Sequence, residues 1–366
     1  MTIEGKHTIV LDVMGSDSGP AEIIHGGIEA ARRLPESLHV MLIGLETVIR
    51  EVLDDCPDRP NNMSVVHADR EVPMTISATE GVRMRDSSIA IGMRQLKVGE
   101  AEAFVSPGNT GAVMATALLT LGRLEGVSRP AITTLFPTSA GRPIVVLDVG
   151  ANVDCKPLHL SQFAVMGSVY SSVVFDLEAP RVGLISIGEE RSKGNELIFK
   201  ASELLRDSDL NFVGNIEGRD ILSGSVDVAV TDGFTGNILL KFAESIKPMF
   251  VGAMQRQVQT NVFSRIGATL LLPFLRRMRS LFDYSESGGA PLLGLNGNVI
   301  ICHGSSSSKA IANAVVLAHN MVAKGIRERI CRELKNNQFG HLNGSQDKSK
   351  NNRHGVVCSA TADDQR

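Results

Sequence analysis

The chain of 366 residues has no tryptophan, two tyrosines and an aromatic content of only 4%. Its core must therefore be aliphatic, as in sheets buried on both faces. Cysteine is scarce and odd in number. Cys56, Cys155, Cys302, Cys331 and Cys358 are scattered, with no CxxC pair and no metal-ligand spacing. That excludes a disulfide framework and a zinc module, and it fits a reducing compartment. Net charge is only −3, so the basic field that nucleic acid requires is missing and no nucleic-acid partner is expected. No G-x-G-x-x-G follows the first strand-like run and no Walker A pattern occurs. Neither a nicotinamide dinucleotide nor a P-loop nucleotide is signalled. No apolar stretch is long enough to span a bilayer. The opening MTIEGKHTIVLDVMG enters a strand almost at once, so no signal peptide is expected.

What is present is an alternation of elements. Short, continuously apolar, β-branched runs occur at 7–13, 38–44, 63–68, 101–105, 131–136, 143–149, 181–187, 226–230 and 298–303. Amphipathic stretches with helix-start signals lie between most of them: Pro20 after Gly19, the capping-box pattern Ser77-Ala78-Thr79-Glu80 ahead of a helix over 79–98, and Pro157 after Lys156. Continuous apolarity implies strands covered on both faces, and the β-α order implies a doubly wound, mainly parallel sheet sandwiched by helices. One α/β catalytic domain is expected over 1–335. Residues 245–282 carry no Asp or Glu but hold Lys247, Arg256, Arg265, Arg276, Arg277 and Arg279, with Pro273 interrupting an apolar run. They read as a projecting helical hairpin with a hydrophobic tip. The polar stretch 336–366 reads as a disordered tail.

Two segments look alike. Ser106-Pro107-Gly108-Asn109-Thr110-Gly111 and Thr231-Asp232-Gly233-Phe234-Thr235-Gly236 both follow a strand-like run and open a helix-like one. A glycine turn leading into a helix N-terminus presents free N–H groups to an anion, phosphate above all. Other strand ends are polar as well: Asp12 to Asp17 with Gly15, Asp148 to Pro157 with Asn152, Gly188 to Glu196, and His303 to Lys309 with Ser305, Ser306 and Ser307. In a doubly wound sheet the ligand crevice lies beyond the carboxyl ends of the strands, so these residues are expected to share one edge. Each acid or amide also has a local reading, as a cap for its own loop. Asp12, Asp17, Asp148, Asp154 and Asp232 lack metal-ligand spacing, so no metal is expected. Ser306-x-x-Lys309 fits a Ser-rich helix cap better than a Ser–Lys hydrolase, because companion motifs are missing. Cys155 or Cys302 would need a partnered His to act as a nucleophile.

Taken together, LDVMGSD, SPGNTGA, VVLDVGANVDCKP, GLISIGEE-x-SKGNEL, VGNIEGRDI, DVAVTDGFTGNILLK and GGAPLLGLNGNVIICHGSSSSKAI resemble the phosphate acyltransferase of bacterial phospholipid synthesis, the PlsX type. The resemblance runs from about Asp12 to His319. MGSD stands where MGGD is more familiar. The resemblance implies transfer of a fatty acyl group from acyl carrier protein to inorganic phosphate, giving acyl phosphate for a membrane glycerol-3-phosphate acyltransferase. It implies a fold similar to phosphotransacetylase and isocitrate dehydrogenase, a homodimer, and no cofactor. It implies catalytic roles for Lys193, in SKGNE, and Asn237, in GFTGN. Substrate or phosphate contacts are expected at Asp12, Gly15, Ser106, Gly108, Asn109, Thr110, Asn152, Asp232, Thr235, Ser305, Ser306 and Ser307. Membrane or carrier-protein contacts are expected at Arg265, Leu271, Leu272, Arg276 and Arg277. The expected place is the cytoplasm, with peripheral contact to an anionic membrane. A phosphotransacetylase-like enzyme acting on acyl-coenzyme A, or a non-catalytic acyl-phosphate-binding scaffold, fits the same residues.

Overall fold

A computed structural model describes residues 5–258, 267 and 288–337. The first third alternates strand and helix, with two helices in succession before β4: β1 (His7–Asp12), α1 (Pro20–Arg33), β2 (Leu38–Gly44), α2 (Glu46–Asp54), β3 (Met63–His67), α3 (Ala78–Arg83), α4 (Ser88–Lys97), β4 (Ala103–Ser106) and α5 (Thr110–Leu121). The hairpin β5 (Ala131–Phe136) and β6 (Ile144–Leu147) follows. Then come α6 (Pro157–Phe175), β7 (Val182–Ile185), α7 (Glu196–Arg206), β8 (Phe212–Ile216), α8 (Gly218–Ser223), β9 (Val228–Val230) and α9 (Gly233–Val258). A second hairpin, β10 (Ala290–Leu293) and β11 (Asn298–Ile301), precedes α10 (Ser308–Ala323) and α11 (Ile326–Asn336).

These strands form one sheet in the order β3-β2-β1-β4-β11-β10-β5-β6-β9-β7-β8. β3, β2, β1, β4 and β11 run parallel to one another, and so do β6, β9, β7 and β8. Between the two sets, β10 is antiparallel to both neighbours and β5 is antiparallel to β6. Successive reversals leave the second set pointing opposite to the first. The sheet is mainly parallel and wrapped by helices on both faces, the doubly wound class. The reversal corrects the expectation of a single polar edge. The carboxyl ends of β1, β4 and β11 open at one edge of the sheet, and those of β6, β9 and β7 open at the other.

Strand neighbours point to opposite faces, and the core divides accordingly. Ile9, Leu11, Val145 and Leu147 pack with α1, α6 and α10 on one face; Val10, Phe104, Ile144 and Val146 pack with α4 and α5 on the other. Both cores cross from one strand set to the other. This two-sided burial is why the strands carry unbroken aliphatic runs rather than alternation. Among the described residues one helix is long and apolar enough to cross a membrane, α6, and it is largely buried inside the fold.

Three local readings differ from the sequence. The helix expected over 79–98 is broken, because Ser87 caps a new helix by accepting from the Ala90 N–H (3.3 Å). The Ser77 capping box forms as expected, with Glu80 Oε2 accepting from the Ser77 N–H (2.9 Å). Strands β8 and β10 were not signalled: the glycine in NFVGN and the proline in GGAPLL weaken the strand pattern. Within the acid-free segment, residues 245–258 continue α9 straight through Pro248; the remainder of the expected hairpin lies outside the described residues, apart from Gly267. So do Arg265, Leu271, Leu272, Arg276 and Arg277, and the tail from 338 onward.

Candidate active site

The first edge is organised around Asp12, which is buried at the end of β1. Its Oδ2 accepts from the Ser106 hydroxyl (2.7 Å) and its Oδ1 from the Met14 N–H (3.1 Å). Ser106 Oγ in turn accepts from the Gly108 N–H (3.0 Å). Burial pushes the Asp12 carboxyl up to about 6, against the pull of Ser106, Ser88 and Met14. Asn109 caps α5 by accepting from the Ala112 N–H, and its Nδ2 donates to the carbonyls of Pro73, Met74 and Ile76. Gly15 sits with φ +73°, where a Cβ would touch the Gly108 backbone at 3.4 Å. Thr110 opens α5 and is exposed.

The β11 loop closes this edge. Ser16 Oγ and the Asp17 N–H both donate to the Gly304 carbonyl at 2.8 Å. Ser305 Oγ pairs with His303 Nδ1 (2.8 Å), Ser306 is buried, and Ser307 caps α10 by accepting from the Ala310 N–H. The Ser308 N–H donates to Glu22 Oε1 at 2.6 Å. A carboxylate of the protein itself therefore occupies the anion position at the α10 N-terminus.

The second edge is organised around Asp148, fully buried after β6. Oδ1 accepts from the N–H groups of Ile132, Gly150 and Ala151, and Oδ2 from the Asn152 N–H (2.7 Å) and Nδ2 (2.9 Å). Burial raises its pKa even so. Asn152 Nδ2 also donates to the Pro130 carbonyl. The Asn152 carbonyl accepts from the Gly233 N–H at 2.8 Å, which ties the β6 loop to the first turn of α9. Asp232 caps that turn, accepting from both the N–H and the hydroxyl of Thr235 (2.9 Å each). A Cβ on Gly236 would overlap the Asp148 carbonyl oxygen. The side chains of Asp232 and Thr235 bond within their own turn, whereas those of Asp12, Ser106, Asn109 and Asn152 also bond to distant parts of the framework.

Lys193 and Asn237 differ. Both are exposed. Among the described residues, neither the ammonium nor the side-chain amide has a hydrogen-bond or ion-pair partner. Their backbones, by contrast, are fixed. The Lys193 N–H donates to the Glu190 carbonyl, and the Lys193 carbonyl accepts from Ser186 Oγ and Asn215 Nδ2. The Asn237 amide lies against Gly150, where a Cβ would come 3.5 Å from its Oδ1. Lys193 stands on the loop leaving the carboxyl end of β7 and Asn237 in the first turns of α9 after β9, and β7 and β9 are adjacent strands.

Both edges carry acids, Asp12, Asp17 and Glu22 at the first and Asp148, Asp154, Glu189, Glu190 and Asp232 at the second. At the second, burial and then the charges of Arg129 and Lys156 hold His159 below its ordinary pKa, which places two more cations on the Lys193 side. Sequence reading did not single out Arg129; its only signal is a cation directly before Pro130 and β5. Burial pushes the thiols of Cys155 and Cys302 up to about 12, so neither is a thiolate at neutral pH. Among the described residues no group of His, Cys, Asp or Glu is placed to hold a metal. A cleft of about 680 Å³ lined by Pro180, Asn211, Lys324 and Arg332 lies where β7 and β8 begin. It is at the far end of those strands from Lys193.

The model of a family described as fatty acid synthesis protein matches residues 7–329. A phosphate acyltransferase from Desulforamulus reducens is 45% identical over 331 residues, covering 90% of this chain and 98% of that protein. One from Myxococcus xanthus is 46% identical over 328 residues, covering 88% and 92%. Among solved structures, a phosphotransacetylase from Streptococcus pyogenes superposes with a TM-score of 0.58 at 18% identity, covering 88% of this chain and 95% of that one. A branched-chain phosphotransacylase from Enterococcus faecalis gives 0.55 at 15% identity, covering 86% and 99%. At such identities these two share the fold alone.

Proposed function

Because the chain belongs to the phosphate acyltransferase family, we propose that it moves a fatty acyl group from acyl carrier protein to inorganic phosphate, forming acyl phosphate for phospholipid synthesis. The observation that carries this reading is the pair of uncommitted polar tips, Lys193 and Asn237, one on the loop after β7 and the other at the start of α9 after the adjacent strand β9. Phosphate brings its own nucleophilic oxygen, so no covalent enzyme intermediate is needed. The oxygen adds to the thioester carbonyl carbon and the carbonyl electrons move onto oxygen. As the carbonyl re-forms, the C–S bond breaks and the thiolate leaves to take up a proton. The Lys193 ammonium offsets the charge of the phosphate and the oxyanion; Asn237 Nδ2 donates to the carbonyl oxygen as charge develops there. The protonated thiols of Cys155 and Cys302 agree with a route that uses no cysteine. The acid-free segment following α9 supplies the contact with acidic carrier protein or an anionic membrane, in a cytoplasmic homodimer.

The test is acyl-phosphate formation from palmitoyl-carrier protein and from palmitoyl-coenzyme A, with phosphate. Lys193→Ala and Asn237→Ala are each expected to lower the rate by about 100- to 1,000-fold with the fold intact. Wild-type rates in both folded variants would refute the assignment. Turnover restricted to coenzyme A donors would refute the carrier-protein donor.

A further inference from the structure

Large apolar side chains in water mark a surface with a purpose when they cluster. Three of them stand just beyond the carboxyl ends of β6, β7 and β9, on the β6 and β7 loops and the first turn of α9: Ile187 is 81% exposed, Val153 63% and Phe234 59%, and α9 goes on to expose Ile238 and Phe242. At the opposite edge, the described loops after β1, β3, β4 and β11 expose only Met74 among large apolar residues. The three follow neighbouring strands. Their strands are consecutive, β6-β9-β7, and adjacent strands lie about 5 Å apart. The Gly233 N–H to Asn152 carbonyl bond at 2.8 Å joins the residues next to Phe234 and Val153. The Ser186 N–H donates to the Ile216 carbonyl (2.8 Å), which fixes the root of Ile187. Val153 and Ile187 sit within polar, glycine-bearing loops and Phe234 in the first turn of α9, and all three side chains stand outside the core.

We propose that Val153, Ile187 and Phe234 seat the alkyl chain of the acyl donor, next to the carbonyl that Lys193 and Asn237 serve. This rests on the acyl-transfer reading above and adds to it the residues that select long chains over short ones. A polar reaction centre flanked by apolar side chains on two loops and a helix turn matches a ligand with one polar end and a long hydrocarbon. A donor with a two-carbon acyl group gains little from such a seat. Each methylene buried there strengthens binding of a long one.

The experiment compares palmitoyl and acetyl thioesters with full-length wild-type protein, Ile187→Ser, Phe234→Ser and the Val153→Ser/Ile187→Ser/Phe234→Ser triple variant. Expected is a loss of kcat/KM of about ten- to a hundredfold for palmitoyl, a far smaller loss for acetyl, and an unchanged KM for phosphate. Ile187→Leu should retain the wild-type preference. Equal losses for both donors, or no loss for either, would overturn the seat. So would a shift from dimer to monomer in sedimentation with unchanged chain preference, since the patch would then be covered by a second copy. Palmitate binding by the same proteins tests the seat without the reaction, and weaker binding by the triple variant is expected. If wild-type protein makes no acyl phosphate from any donor, the function reading falls alone, and the binding result still decides the seat.

Discussion

Asp12 is a buried carboxyl group that accepts from the Ser106 hydroxyl and the Met14 N–H. Burial outweighs those bonds, since the group is pushed up to about 6 from 3.8. The sign follows from linkage. The folded protein holds this proton more tightly than the unfolded chain, so Asp12 contributes most stability below pH 4 and loses it as pH rises through 6. About two units correspond to about 3 kcal/mol. Asp12→Asn removes the titration. In urea melts, wild type minus Asp12→Asn is therefore expected to be more favourable at pH 4 than at pH 7 by roughly that amount. A constant difference across the range would show that Asp12 does not titrate there. At this scale the sequence was a partial guide. Motif resemblance pointed to Lys193 and Asn237, whose exposed side chains have no partner among the described residues. The polar character of Asp12, Ser106, Asn109 and Asn152 was visible, but a capping residue and a ligand-binding residue look identical until their partners are known. Those partners lie far along the chain, as with Asn109 and the carbonyls of Pro73 to Ile76.

Turns that share a sequence pattern need not share a structure. In the first glycine turn the cap is Asn109, and the helix starts one residue later at Thr110. In the second the cap is Asp232, and Gly233 already belongs to the helix. The helix therefore begins two motif positions earlier in the second, so Gly108 and Gly233 do different work. Gly108 lends its N–H to Ser106; Gly236 lets α9 approach the Asp148 carbonyl closely enough that no side chain fits. Gly236→Ala must push α9 away from the β6 loop. A cost of about 1–3 kcal/mol is expected, seen as a lowered Tm, together with reduced activity because Asn237 moves with its helix. An unchanged Tm would mean that the contact yields freely. Gly108→Ala has more room, since its tightest neighbour is the Ser106 hydroxyl at 3.1 Å.

At the level of the whole molecule, the fold class was legible because short, β-branched aliphatic runs alternate with stretches that carry helix-start signals, the pattern of strands covered on both faces. The direction of each strand was not. It depends on which strands pair, and β10, which carries proline beside two glycines, left little trace in the pattern. The pairing makes a testable asymmetry. Val299 lies in β11, central in the sheet and paired on both sides. Val213 lies in the edge strand β8 at a register shift. Val299→Pro should cost about 3 kcal/mol or more and abolish stable folding, whereas Val213→Pro should be tolerated with a small loss of Tm. Equal damage from the two would contradict the strand order.

The hairpin β10–β11 lies between β4 and β5, two strands that the chain finishes long before it reaches residue 290. A ribosome therefore releases both strand sets before the piece that joins them exists. Until then β4 and β5 each present an open edge, a template for pairing with another chain. Synthesis of this enzyme has a window of exposure that only its last strands close, so its yield in a cell depends on how quickly the final segment follows the rest.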